Sequence, residues 1–68
     1  MKSVERRLGD SIRKTREAKG WLQRELSAAA ELPLRTIGRI ERGEVDVRLS
    51  TLAKIARALG IAVRDLQP

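Results

Sequence analysis

The chain contains no cysteine, histidine, tyrosine or phenylalanine, and only one tryptophan, Trp21. Without cysteine there can be no disulfide and no thiolate metal site. Without cysteine or histidine, and with no paired, inward-facing carboxylates, acid–base or nucleophilic chemistry has no obvious carrier. The expectation is therefore a protein that is not an enzyme and uses no cofactor and no metal. A lone aromatic also leaves no stacking platform for single-stranded nucleic acid. Trp21 is expected instead to plug a junction between helices. No apolar run approaches the roughly 20 residues of a membrane span, and no signal-peptide stretch opens the chain, so a cytoplasmic protein without a membrane role is expected.

What is present is an aliphatic and basic chain. Hydrophobic residues make up 41% of the 68 positions, a length expected to form one domain, residues 1–68, that buries only about 60% of its unfolded surface. Tightly packed helices or a partner must supply the core. The net charge of +6 points to a polyanionic partner. Its distribution is uneven: residues 1–20 carry seven basic and three acidic side chains, residues 21–47 four and five, and residues 48–68 four and one.

Apolar periodicity predicts five helices. The first runs from about Ser3, as N-cap, to Lys19, with Leu8, Ile12 and Thr15 inward and Gly20 as its stop. Gly9 inside it costs roughly 1 kcal/mol relative to Ala, tolerable where another helix packs closely. The second covers about 23–30 and the third about 34–42. Pro33 lacks an N–H and biases Leu32 away from helical geometry, which places a sharp turn between them. The fourth runs from Leu49 to Leu59, with Leu49, Leu52, Ile55, Ala56 and Leu59 as its buried stripe. A last turn, Val63 to Leu66, closes the fold. The third helix places Arg35, Arg39 and Arg42 on one stripe opposite its apolar face. A short helix, a turn and a second helix of this kind form a device for placing one helix in DNA.

Gln23, Leu26, Leu32, Ile37, Glu41, Gly43, Thr51-Leu52, Ala56, Leu59-Gly60 and Leu66 stand in the order and spacing of one family. From about Leu8 to Leu66 the chain resembles the Cro and phage-repressor, or XRE-type, helix-turn-helix family. The resemblance implies an all-α, five-helix, lambda-repressor-like domain. It implies a transcriptional regulator, a repressor in our reading, binding double-stranded DNA, usually as a homodimer on a palindromic operator.

Helix 3 then looks like the recognition helix, with Leu34, Arg35, Thr36 and Arg39 as base contacts. Arg35 can donate two hydrogen bonds to guanine O6 and N7, while Leu34 and the Thr36 methyl suit thymine methyls; a phosphate contact is the competing role for Arg35. Gly38 on this helix lets the backbone approach either DNA or helix 2. Gln23 starts helix 2, where unpaired N–H groups favour a phosphate, and the family uses such a Gln to anchor the backbone. Arg24, Arg42 and Arg48 are candidate further phosphate clamps. Arg16 and Glu41 map onto a family ion pair tying helix 1 to the end of helix 3.

The chain also departs from the family pattern. Leu22, Pro33, Arg48 and Ala62 stand where small capping residues are usual, and each lost cap costs about 1 kcal/mol. Glu31 replaces the usual turn glycine, so a left-handed backbone there carries strain. Dimerisation or DNA binding can offset such deficits by mass action, and Val63 is the expected exposed apolar contact of a dimer. An alternative reading is an antitoxin that uses this domain for autoregulation. An antitoxin normally needs a further segment to bind its toxin partner, and only Gln67 and Pro68 follow the final turn.

Overall fold

The computed structural model describes residues 2–66; Met1, Gln67 and Pro68 lie outside the described residues. Among the described residues four α-helices follow one another, α1 (Val4–Ala18), α2 (Gln23–Ala30), α3 (Leu34–Glu41) and α4 (Leu49–Leu59), and a 3-10 turn, Val63–Asp65, follows α4. The expected fifth helix is thus this three-residue turn. It still closes the core, because Leu66 directly after it is fully buried.

The core is aliphatic. Ile12 of α1, Leu26 of α2, Ile37 of α3, Ile55 of α4 and Leu66 are the largest fully buried side chains, and Ala30, Ile40, Leu52, Ala56 and Leu59 complete the cluster. Burying each such Leu or Ile stabilises the fold by roughly 1.5–3 kcal/mol, so the core alone accounts for helices this short. Trp21 packs half-buried against this cluster between α1 and α2, with Lys19 Nζ 4.9 Å from its ring centre. Leu49 departs from the expected buried stripe: it is 71% exposed, one turn ahead of Leu52, where burial begins.

Gly9 explains how α1 and α3 meet. A Cβ at this position would stand 2.4 Å from the Ile40 carbonyl oxygen and 2.7 Å from that of Glu41. Only a residue without a side chain lets α1 press onto the last turn of α3.

All four helices end in the same way. A left-handed residue, Gly20, Glu31, Gly43 or Gly60, closes the last turn, and the next residue donates its N–H five residues back. Those bonds run from Trp21 to Arg16, Leu32 to Ser27, Glu44 to Arg39 and Ile61 to Ala56, the Schellman geometry that satisfies orphan carbonyls. Glu31 adopts φ 56°, ψ 46° without being glycine, so the expected strain is present. At the helix starts, Ser3 accepts from the Arg6 N–H at 3.1 Å. Leu22, Pro33, Arg48 and Ala62 make no side-chain cap. Two of these four starts are nevertheless tied: Glu25 accepts from the Leu22 N–H at 2.7 Å and Asp65 from the Ala62 N–H at 3.1 Å. These are the reciprocal halves of capping boxes.

Candidate nucleic-acid interface

Helix α3 divides sharply into two faces. Ile37, Gly38, Ile40 and Glu41 are buried, whereas Leu34, Arg35 and Arg39 are exposed and Thr36 is half-buried. Leu34 stands 50% exposed at the start of the helix, an apolar side chain offered to an outside surface. Arg35, Thr36 and Arg39 line one shallow open depression together with Pro33 and Val45. A second depression continues from Thr36 and Arg39 past Val45 and Val47 to Arg48 and Thr51. Of the four expected base-contacting residues, Arg35, Thr36 and Arg39 line one face from the first turn of α3 to its last, Leu34 stands exposed at the helix start outside these depressions, and Arg48 extends the face toward α4.

The scaffold beneath this face is fixed by one buried ion pair. Arg16 Nε donates to Glu41 Oε2 at 2.7 Å and Arg16 Nη2 to Glu41 Oε1 at 3.0 Å, with side-chain exposures of 9% and 3%. This bidentate contact holds the guanidinium proton above its already high ordinary affinity, the hydrogen bond to Glu41 being the main cause. The third donor, Arg16 Nη1, reaches the Trp21 carbonyl at 2.7 Å. Gln23 joins the same cluster, its Nε2 donating to Glu41 Oε1 at 3.1 Å. The side chain expected to anchor a phosphate is thus partly committed inward, binding the start of α2 to the end of α3. Its backbone N–H remains at the helix start.

A family model described as helix-turn-helix (HTH_3) matches residues 12–66. The chain belongs to the XRE-type helix-turn-helix family of DNA-binding regulators. The restriction-modification controller protein C.AhdI from Aeromonas hydrophila is similar to it at 36% identity, with a TM-score of 0.88 over 90% of this chain and 92% of that one. The clp gene regulator ClgR from C. glutamicum is 32% identical, with a TM-score of 0.91 over 97% and 86%. A hypothetical transcription factor, NHTF, from Neisseria is also 32% identical, with a TM-score of 0.92 over 97% and 76%. No curated protein matches at a significant level. No helix among the described residues is long and apolar enough to cross a membrane.

Within the XRE-type pair of helices, the remaining expected contacts divide. Arg24 and Arg48 are exposed, Arg24 in the first turn of α2 and Arg48 just before α4. Arg42 is exposed but engaged. Its Nε donates to Glu44 Oε2 at 2.7 Å and its Nη2 lies 3.4 Å from Glu44 Oε1. The hydrogen bond lowers the Glu44 carboxyl below its ordinary range and raises Arg42. Nearest to where a Gly38 Cβ would stand is the Arg42 guanidinium, with Nη1 at 3.0 Å, and not an atom of α2. Val63 is half-buried against the core rather than freely exposed.

Sequence reasoning missed Val45 and Val47, which line this face, and Glu44, which meets Arg39 and Arg42 at its margin. The signal was available in Gly43, because a left-handed turn (φ 71°) after α3 sends the chain back along the helix.

Proposed function

We propose that this regulator recognises a specific double-stranded DNA site by laying α3 in the major groove, and that it acts as a homodimeric repressor on a palindromic operator. The observation that carries the reading is the exposed face of α3, where Arg35, Thr36 and Arg39 stand together with Leu34 exposed at the helix start, above the buried Arg16–Glu41 pair. Arg35 pairs with guanine O6 and N7, Leu34 and Thr36 meet thymine methyls, and Arg39 reads a neighbouring base. Arg24, Arg48 and the backbone at Gln23 hold phosphates on either side, and Arg42, paired with Glu44, offers its remaining donors to a further phosphate. Such a protein works in the compartment that holds its DNA, the cytoplasm. The likeness to C.AhdI, a restriction-modification controller, and to ClgR, a clp gene regulator, supports a role in gene control.

Arg35→Ala tests the assignment. Its loss should cost roughly 1–3 kcal/mol on the preferred duplex and relax the preference at one guanine, with little change on random duplex. Titrations at several salt concentrations separate the two effects. Equal loss on preferred and random duplexes would make Arg35 a phosphate contact.

A further inference from the structure

Three of the four helix ends place an apolar residue after the left-handed turn: Trp21, Leu32 and Ile61, each half-buried against the core. Apolar contact between this residue and the last turn of the helix is the usual companion of the geometry. The fourth helix end, on α3, carries the exposed Glu44 instead. Its backbone is held in the same manner, donating to the Arg39 carbonyl at 3.0 Å. The turn therefore aims a carboxylate back at the last turn of α3, where a hydrophobic contact would otherwise form. There it meets Arg42, just after the helix, with Nε at 2.7 Å, and Arg39, in the last turn, with Nε at 3.9 Å. The Arg42 guanidinium lies beside Gly38, where a side chain would crowd it.

We infer that Glu44 is a specificity-determining residue, an internal substitute for a DNA phosphate that holds Arg42 by hydrogen bond and draws Arg39 by charge at the end of α3. The inference rests on the DNA-reading role proposed above. Glu44 has two opposite effects on binding. It removes one positive charge from the surface and repels phosphates, which weakens every docking, in or out of register. It also restrains Arg42 firmly and Arg39 more loosely, long side chains that would otherwise lose rotamer freedom on binding, a gain realised only when base edges and phosphates arrive at the positions those side chains already occupy. Random duplex feels the first effect alone. A matched duplex feels both, and they nearly cancel.

The test is Glu44→Gln, which keeps the backbone bond and side-chain length, compared with Glu31→Gln, which removes the same charge from the α2–α3 turn. Wild type and both variants are titrated with a duplex selected from random sequences and with unselected duplex, at several salt concentrations. Glu44→Gln should raise affinity for unselected duplex roughly two- to fivefold, as expected for release of an exposed ion pair, and steepen the salt slope by about 0.9. Affinity for the selected duplex should change less than about twofold, so the ratio of the two falls. Arg42→Ala should then weaken unselected binding more in the Glu44→Gln background than in wild type. Equal gains on both duplexes, a Glu44→Gln response matching that of Glu31→Gln, or equal Arg42→Ala losses in the two backgrounds overturn the inference while leaving the DNA-reading role intact. A wild-type chain that binds no duplex overturns both.

Discussion

Arg16 links three elements through one guanidinium, reaching Glu41 at the end of α3 and the Trp21 carbonyl after α1 from its own place in α1. With both side chains nearly out of solvent, removing one partner leaves the other charge uncompensated in a low-dielectric site. Arg16→Ala or Glu41→Ala should each lower stability by about 3–5 kcal/mol, and the double variant should lose much less than the sum. Thermal melts decide, since about 1 kcal/mol moves the midpoint of a domain this small by roughly 4–8 °C. A single variant melting within about 2 °C of wild type would contradict a buried pair. Spacing could not have revealed this contact, because partners 25 positions apart meet only through the crossing of α1 and α3; it came from the family resemblance. The Gln23 contact escaped notice for a related reason: an amide at a helix start can turn outward to an anion or inward to a carboxylate, and Glu41 decides the matter.

Helix boundaries were largely legible, since glycine marks three of the four ends and the apolar spacing marks the faces. The misreadings fell where packing overrides pattern. Leu49 continues the spacing of Leu52 and Ile55 but sits in the first turn of α4, ahead of the packed stretch. The uncapped starts of α2 and of the 3-10 turn are compensated by acids three residues on, Glu25 and Asp65, a cue that stood in the sequence unused. Glu31 is the opposite case, a strained residue read correctly. Its left-handed backbone (φ 56°) costs a non-glycine residue roughly 1–2 kcal/mol, part of which glycine gives back through its freer unfolded chain. Glu31→Gly should therefore stabilise the fold by about 0.5–1 kcal/mol, raising the melting midpoint by several degrees. A lower midpoint would mean that the Glu31 side chain contributes more than the strain it imposes.

Across the whole molecule, the segment bearing the proposed reading face is the least basic part. Residues 21–47 carry four basic and five acidic side chains, while residues 1–20 and 48–68 hold surpluses of four and three positive charges. Long-range attraction to DNA then comes from the flanks, while α3 contributes discrimination, a division that keeps a small regulator from binding any duplex equally. The net charge was readable from composition, but its neutralisation around α3 by Glu44 needed the turn after Gly43. Two copies related by a twofold axis would set their α3 helices one DNA turn apart, about 34–36 Å. The most direct measurement is selection of bound duplexes from a random pool by the wild-type chain, followed by footprinting of the winners. The account predicts a palindromic site whose half-sites lie roughly 10 base pairs apart, centre to centre. A pool that never converges on a sequence would contradict recognition by α3, and convergence on a single unrepeated half-site of full affinity would contradict the dimer.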